Sequence, residues 1–125
     1  MKKIIRAEKA PAAIGPYSQA VESGNFIFIS GQIPLDPATG KLVEGGIADQ
    51  TRQVLDNIGA ILKAAGLEYR NVLKCTCFLA DINDFKSMNE VYGTYFASDP
   101  PARAAFQVCK LPMGAGIEIE AVAAK

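Results

Sequence analysis

From Ile47 to Ala65, apolar or small side chains recur at Ile47, Thr51, Val54, Leu55, Ile58, Ile61, Leu62 and Ala65. That spacing, close to the roughly 3.6-residue period of a helix, draws one stripe along its surface. Gly66 follows where a left-handed C-terminal cap belongs. A helix with a single apolar face needs a flat apolar surface to bury it against. Only one other segment has such a period. Asp81 or Asn83 can cap a second helix running to about Ala97, with Phe85, Met88, Tyr92, Tyr95 and Phe96 as its stripe. Pro100-Pro101 stops it.

The rest of the chain reads as strands and loops. Lys2 to Arg6 suits a short edge strand. Ala10 to Tyr17 carries two prolines and a glycine and is a restricted loop. Ser18 to Val21 and Phe26 to Ser30 form a hairpin around Glu22-Ser23-Gly24-Asn25. Gly31 to Gly46 is a further loop, and Val72 to Ala80 a strand. Ala102 to Cys109 and Ile117 to Ala123 close the chain, joined by the Gly-rich Lys110 to Gly116, which reads as a hairpin loop. The order β, ββ, α, β, α, ββ predicts an α+β fold: one mostly antiparallel six-stranded sheet with both helices on one face, as a single domain over residues 1–125.

Alternation then distributes the last two strands. Ala102, Ala104, Phe106 and Val108 share one face of their strand, as do Ile117, Ile119 and Ala121 of theirs, and both sets fit beneath the helices. That leaves Arg103, Ala105 and Gln107 on the opposite side, together with Glu118 and Glu120. Apolar residues from Phe26 to Ser30 and Val72 to Ala80 reach this second side too. A face mixing apolar residues with an arginine and glutamates suits neither solvent nor a closed core. An oligomer with sites at its seams resolves the conflict.

Charge and cysteine content narrow the chemistry. Thirteen basic residues balance thirteen acidic ones, so no global field favours nucleic acid or a membrane surface. No stretch approaches the roughly 18 apolar residues of a membrane span, and the start lacks the apolar run of a signal peptide. The three cysteines have neither disulfide nor zinc spacing, and there is no histidine to complete a metal site or to serve a thiol nucleophile. A cytoplasmic, metal-free protein with reduced, mostly buried thiols is expected.

The polar residues left for chemistry are few. Arg103, at a strand entrance among small residues, suits bidentate capture of a carboxylate, or else an ion pair with Glu118 or Glu120 across the ladder, or a solvated place at the sheet edge. Either glutamate, partly desolvated, can orient a water and take its proton; as alternating strand residues they equally suit solvent. Tyr17 can wall a flat substrate or anchor its loop. Gly31, after Ser30, allows close approach of a ligand or simply a tight turn. Asn89 lies on the polar side of its helix, where solvent is the ordinary partner.

Taken together, the blocks Gly15-Pro16-Tyr17-Ser18-Gln19-Ala20, Ile29-Ser30-Gly31-Gln32-Ile33-Pro34, Gln53-Val54-Leu55-Asp56-Asn57-Ile58, Ala64-Ala65-Gly66-Leu67, Pro101-Ala102-Arg103-Ala104-Ala105 and Ile117-Glu118-Ile119-Glu120-Ala121 resemble the signature blocks of the RidA (reactive intermediate/imine deaminase) family, in order along essentially the whole chain. The resemblance implies a chorismate-mutase-like fold assembled as a homotrimer, with the sheets forming a central barrel and three cofactor-free clefts between subunits. It implies that Arg103 binds the carboxylate of a 2-imino acid, that Tyr17, Ser30, Gly31 and Asn89 contact substrate, and that Glu118 and the Ala105 carbonyl position the hydrolytic water. The family glutamate lies fifteen residues after the arginine, which selects Glu118 where parity leaves Glu120 equally eligible. Some relatives have cysteine where this chain has Ala105, but the carbonyl is retained.

The implied reaction converts 2-iminopropanoate or 2-iminobutanoate, formed from enamines released by pyridoxal-phosphate dehydratases, to 2-oxo acids and ammonia. Two rivals carry distinct signatures. An endoribonuclease would want a basic stripe, which is missing. A non-catalytic module binding small carboxylates would use the same clefts without turnover.

Overall fold

The long helix ends where its glycine says it must. In the computed structural model, which describes all 125 residues, α1 spans Ile47–Ala64 and Gly66 follows at φ 77°. The Leu67 N–H donates to the Leu62 carbonyl at 2.8 Å and the Gly66 N–H to that of Lys63 at 3.0 Å, the paired bonds of a Schellman cap. Its stripe, Thr51, Val54, Leu55, Ile58, Ile61 and Leu62, is fully buried. Asn57 is buried in the same row because its side-chain amide donates to the Leu35 carbonyl at 3.0 Å while its oxygen accepts from Gln53 at 2.8 Å. One helical residue thereby fastens the loop after Gly31 to the domain.

The second helix, α2, covers Phe85–Tyr95, shorter at both ends than the sequence suggests. Asp81 does cap, but a 3₁₀ turn over Ile82–Asp84, where it accepts the Asn83 N–H at 2.9 Å. At the far end Phe96 leaves the helix (φ −120°, ψ 54°) and packs its ring against Tyr92 and Tyr69, at 4.7 and 5.8 Å between centroids. Met88, Tyr92 and Phe96 are buried as expected, joined by Val91, while Phe85 and Tyr95 are half-buried.

The strands are β1 (Lys3–Ile5), β2 (Ala20–Ser23), β3 (Phe26–Gln32), β4 (Val72–Leu79), β5 (Ala102–Gln107) and β6 (Ile117–Ala124), in the spatial order β1-β2-β3-β6-β4-β5. Every pairing is antiparallel except β4 with β5. The α+β reading and both helices are therefore found, with three corrections to detail. First, β5 and β6 do not form a hairpin. The crossover through α2 sets β5 parallel to β4 at the sheet edge, and the Lys110–Gly116 connection passes the end of β4 to lay β6 between β3 and β4. The Ala80 N–H donates to Gly116 at 3.0 Å and the Val108 N–H to Leu79 at 2.9 Å along that path. Second, β2 begins at Ala20 rather than Ser18, and its turn is only Gly24-Asn25, with Gly24 at φ 59°. Third, β3 runs past Ser30 to Gln32, so Gly31 belongs to the strand, at a register shift between Ile29 and Gln32, rather than to the following loop.

Ile27, Ile29, Cys75, Cys77, Leu79, Ile117, Ile119, Ala121 and Ala123 all face the helices and are buried. Cys109, past the end of β5, is exposed, unlike the other two thiols. The expected faces hold for β6 and are reversed for β5. Arg103 pairs with Cys75 and Ala105 with Cys77, so both point to the helix side, while Phe106 pairs with Phe78 on the open side. Hydrophobicity misassigned this strand because the open face is apolar as well: Phe26 and Phe28 are each 47% exposed and Phe106 is 44% exposed there, and Phe106 meets Phe78 edge-on at 5.5 Å. No helix is long and apolar enough to cross a membrane.

The N-terminal loop is fixed by one buried side chain. Gln19 accepts the Ala7 N–H at 2.7 Å and donates to the carbonyls of Ala7 at 3.1 Å and Pro11 at 2.8 Å. Gln19→Ala strands these backbone groups, and it is expected to cost about 2 kcal/mol of stability in denaturant titration. An unchanged midpoint would contradict that role.

Candidate functional site

The bulge that corrects β3 also builds a cleft. Leaving the regular ladder after Ile29, the chain places Ser30 and Gly31 where the register skips from Ala121 to Ile119 of β6, with the Glu118 carboxylate reaching Gly31, and the segment Pro11–Tyr17 folds over them. The result is an open cleft of about 670 Å³ lined by Tyr17, Ser30, Gly31, Met113, Glu118 and Glu120, among others. Tyr17 is 52% exposed at its mouth. The Ser30 hydroxyl donates to the Ser18 carbonyl at 2.6 Å and the Ser30 N–H to that of Gln19 at 3.0 Å, so Ser30 ties the Tyr17 loop to the strand.

The bare backbone of Gly31 makes room for the Glu118 side chain. A Cβ at this position would overlap the Glu118 Oε2 and come within 2.9 Å of its Cδ. The carboxylate therefore lies across bare backbone, half-buried, while Glu120, two residues on, is exposed. Burial pushes the Glu118 carboxyl above the usual carboxylate range, and the neighbouring Glu120 charge adds to the shift. The structure thus separates two glutamates that alternation alone cannot. Gly31→Ala is expected to displace the Glu118 carboxylate and lower kcat by about tenfold or more without unfolding the protein. Retention of full kcat would show that the seat is unimportant.

Arg103 lies elsewhere. Its Nη1 donates to Asn89 Oδ1 at 2.8 Å, and its Cζ stands 4.7 Å from the Tyr92 ring centroid and 5.3 Å from that of Phe85. It makes no ion pair, so the alternative of a cross-ladder bridge to Glu118 or Glu120 is overturned. Pairing explains why. Arg103 shares the face of Cys75 and Ala121, whereas Glu118 shares that of Phe78, so sheet backbone separates them. Asn89 accordingly meets Arg103 and not the cleft of Tyr17. Because the Val108 N–H bonds to β4, strand alternation turns the carbonyls of Arg103 and Ala105 to the free edge of β5.

The candidates thus fall into two groups within one chain: Tyr17, Ser30, Gly31 and Glu118 in the cleft, and Arg103, Ala105 and Asn89 at the edge of β5. Neither group is a complete site. The first has an uncompensated carboxylate and room, and the second an uncompensated guanidinium on an unpaired strand edge. Sequence reasoning passed over Gln19, which holds the cleft loop, and Met113, which lines the cleft at φ 58°. It also took Phe85 and Tyr92 as core alone. A non-glycine residue in the left-handed region leaves no signal in residue type.

Residues 7–125 match a family model described as endoribonuclease L-PSP. A bovine 2-iminobutanoate/2-iminopropanoate deaminase is 59% identical over 123 residues, covering 98% of this chain and 90% of its own. Among solved structures, the YjgF gene product of Escherichia coli superposes with a TM-score of 0.95 at 47% identity, and TdcF of Escherichia coli, solved with bound serine, with 0.94 at 44%. In each case 98% of both chains is covered.

Proposed function

The chain belongs to the RidA family, to which the endoribonuclease L-PSP model and the imine deaminase relatives attach it, and from that premise we propose how its two half-sites act as one. The protein is a hydrolase of C=N bonds that deaminates small 2-imino acids such as 2-iminopropanoate and 2-iminobutanoate. Three copies close their open sheet faces into a barrel, and each seam sets Arg103 and the β5 edge of one copy against the Glu118 cleft of the next.

The observation that carries this reading is the unspent charge of Arg103. Its one hydrogen-bond partner is a neutral amide, and two aromatic rings line it, so its remaining N–H groups suit an incoming carboxylate. Held there, the substrate presents its imine carbon to a water between Glu118 and the Ala105 carbonyl of the neighbour. Glu118 accepts a proton as the water adds to C=N, giving a carbinolamine. It returns that proton to nitrogen; as the C–N bond breaks the carbinolamine hydroxyl gives up its own proton to Glu118 and becomes the carbonyl, and a 2-oxo acid leaves with ammonia, which takes that proton up. Asn89 steadies the guanidinium, Tyr17 covers the substrate plane, and Ser30 and Gly31 form the floor.

The free thiols support a reducing compartment, the cytoplasm, where pyridoxal-phosphate dehydratases acting on hydroxy amino acids generate such imines. RNA cleavage is not favoured: the chain has no histidine and no net charge. The test is the decay of 2-iminopropanoate generated in situ. Acceleration by the protein supports the reading, and none from a folded oligomer overturns it.

A further inference from the structure

Helix α2 presents three side chains in one row to Arg103: Phe85, Asn89 and Tyr92, at spacings of four and three residues that stack on a helix face. Only the middle one is polar. The geometry points to Phe85 and Tyr92 as positioning residues for Arg103, an aromatic clamp that sets the guanidinium plane for carboxylate capture. This rests on the reading of Arg103 as the carboxylate anchor.

An arginine on an edge strand, without an ion pair, would ordinarily sample many rotamers, and ordering it at the moment of binding costs affinity. Here the cation is held before any ligand arrives. The ring faces attract it electrostatically, and they do so without occupying its N–H groups. Asn89 takes one N–H, which leaves the others for two carboxylate oxygens.

Tyr92 also carries a feature that packing alone does not account for. The residue is 5% exposed, and its buried hydroxyl has no oxygen or nitrogen partner, only the weakly interacting Cys75 thiol beside it. A phenylalanine would fill the same space without burying a hydroxyl whose only neighbour is a thiol. The clamp needs the ring and not the hydroxyl, so the two parts of this side chain can be tested apart.

The experiment compares wild type with Tyr92→Phe, Tyr92→Leu and Phe85→Leu in the intact oligomer, measuring KM and kcat for 2-iminopropanoate and, independently of turnover, calorimetric affinity for pyruvate, the product carboxylate. Loss of either ring is expected to raise KM and weaken pyruvate by about tenfold, with kcat changed much less, because a carboxylate anchor serves ground and transition states alike. Tyr92→Phe is expected to restore both values to within about twofold of wild type. Phe85 is only half-buried, so its variant keeps the test available if Tyr92→Leu fails to fold. Unchanged KM and pyruvate affinity in the folded leucine variants would overturn the clamp, as would a loss in Tyr92→Phe equal to that in Tyr92→Leu. Absence of turnover in wild type with intact pyruvate binding would instead count against the deaminase reading and leave the clamp to be judged on affinity.

Discussion

Arg103→Ala is expected to lower kcat/KM for 2-iminopropanoate by at least about a hundredfold while the protein remains folded and assembled, because truncating one partner of a charged, hydrogen-bonded contact costs on the order of 2–5 kcal/mol. Folding should hardly notice. Arg103 makes no ion pair, and its loss strands only the Asn89 side chain at the surface. Arg103→Lys should recover little, since an ammonium cannot donate two parallel N–H bonds or stack between the rings of Phe85 and Tyr92. Steady-state kinetics with elution volume as the control checks this. Full activity in Arg103→Ala would remove the carboxylate anchor from the account.

Glu118→Gln is expected to lower kcat by roughly 10²–10⁴-fold, the usual contribution of a positioned acid or base, and Glu120→Gln by far less. The pH profile distinguishes the two further. Glu118 must be ionised to accept a proton from water, and burial together with the Glu120 charge favours its protonated form. Activity should therefore fall as pH drops through a point above the ordinary glutamate value of about 4.3. Removing the Glu120 charge makes Glu118 easier to ionise and should move that acid limb to lower pH. A limb that stays in place or moves upward contradicts the assignment, as does a larger loss from Glu120→Gln than from Glu118→Gln.

Much of this architecture is legible in residue order. The Ile47–Ala65 stripe and Gly66 fix α1 to within a residue, and the Ile117–Ala121 alternation places β6 correctly against the helices. The strand partners are not legible. A short Gly- and Pro-rich connection looks the same whether it turns a hairpin or steps past a neighbouring strand, and only the pairing of β6 with both β3 and β4 reveals the second. Parity failed on β5 for a related reason. Where both sheet faces are apolar, Ala102, Ala104 and Phe106 suit either one, so the side of Arg103 is decided by Cys75 and Cys77, which lie far away in sequence. The candidate site residues stand out in the sequence mainly as family blocks. Gly31 and Glu118 are linked by a steric fit that appears only when two strands are laid together. Gln19 holds its loop, and the Tyr92 ring meets Arg103, through packing partners that no local pattern names.

The central claim is that one working site draws Arg103 and Glu118 from different copies, and subunit mixing tests it most directly. Arg103→Ala and Glu118→Gln proteins, each strongly impaired alone, would be unfolded together in equal amounts, refolded, and assayed for 2-iminopropanoate decay. In a closed ring of three, every mixed assembly holds one seam with both native residues, so about a quarter of the wild-type activity should return. If both residues served from the same chain, no site in any mixture would be intact, and activity remaining at the level of the separate variants would contradict the account.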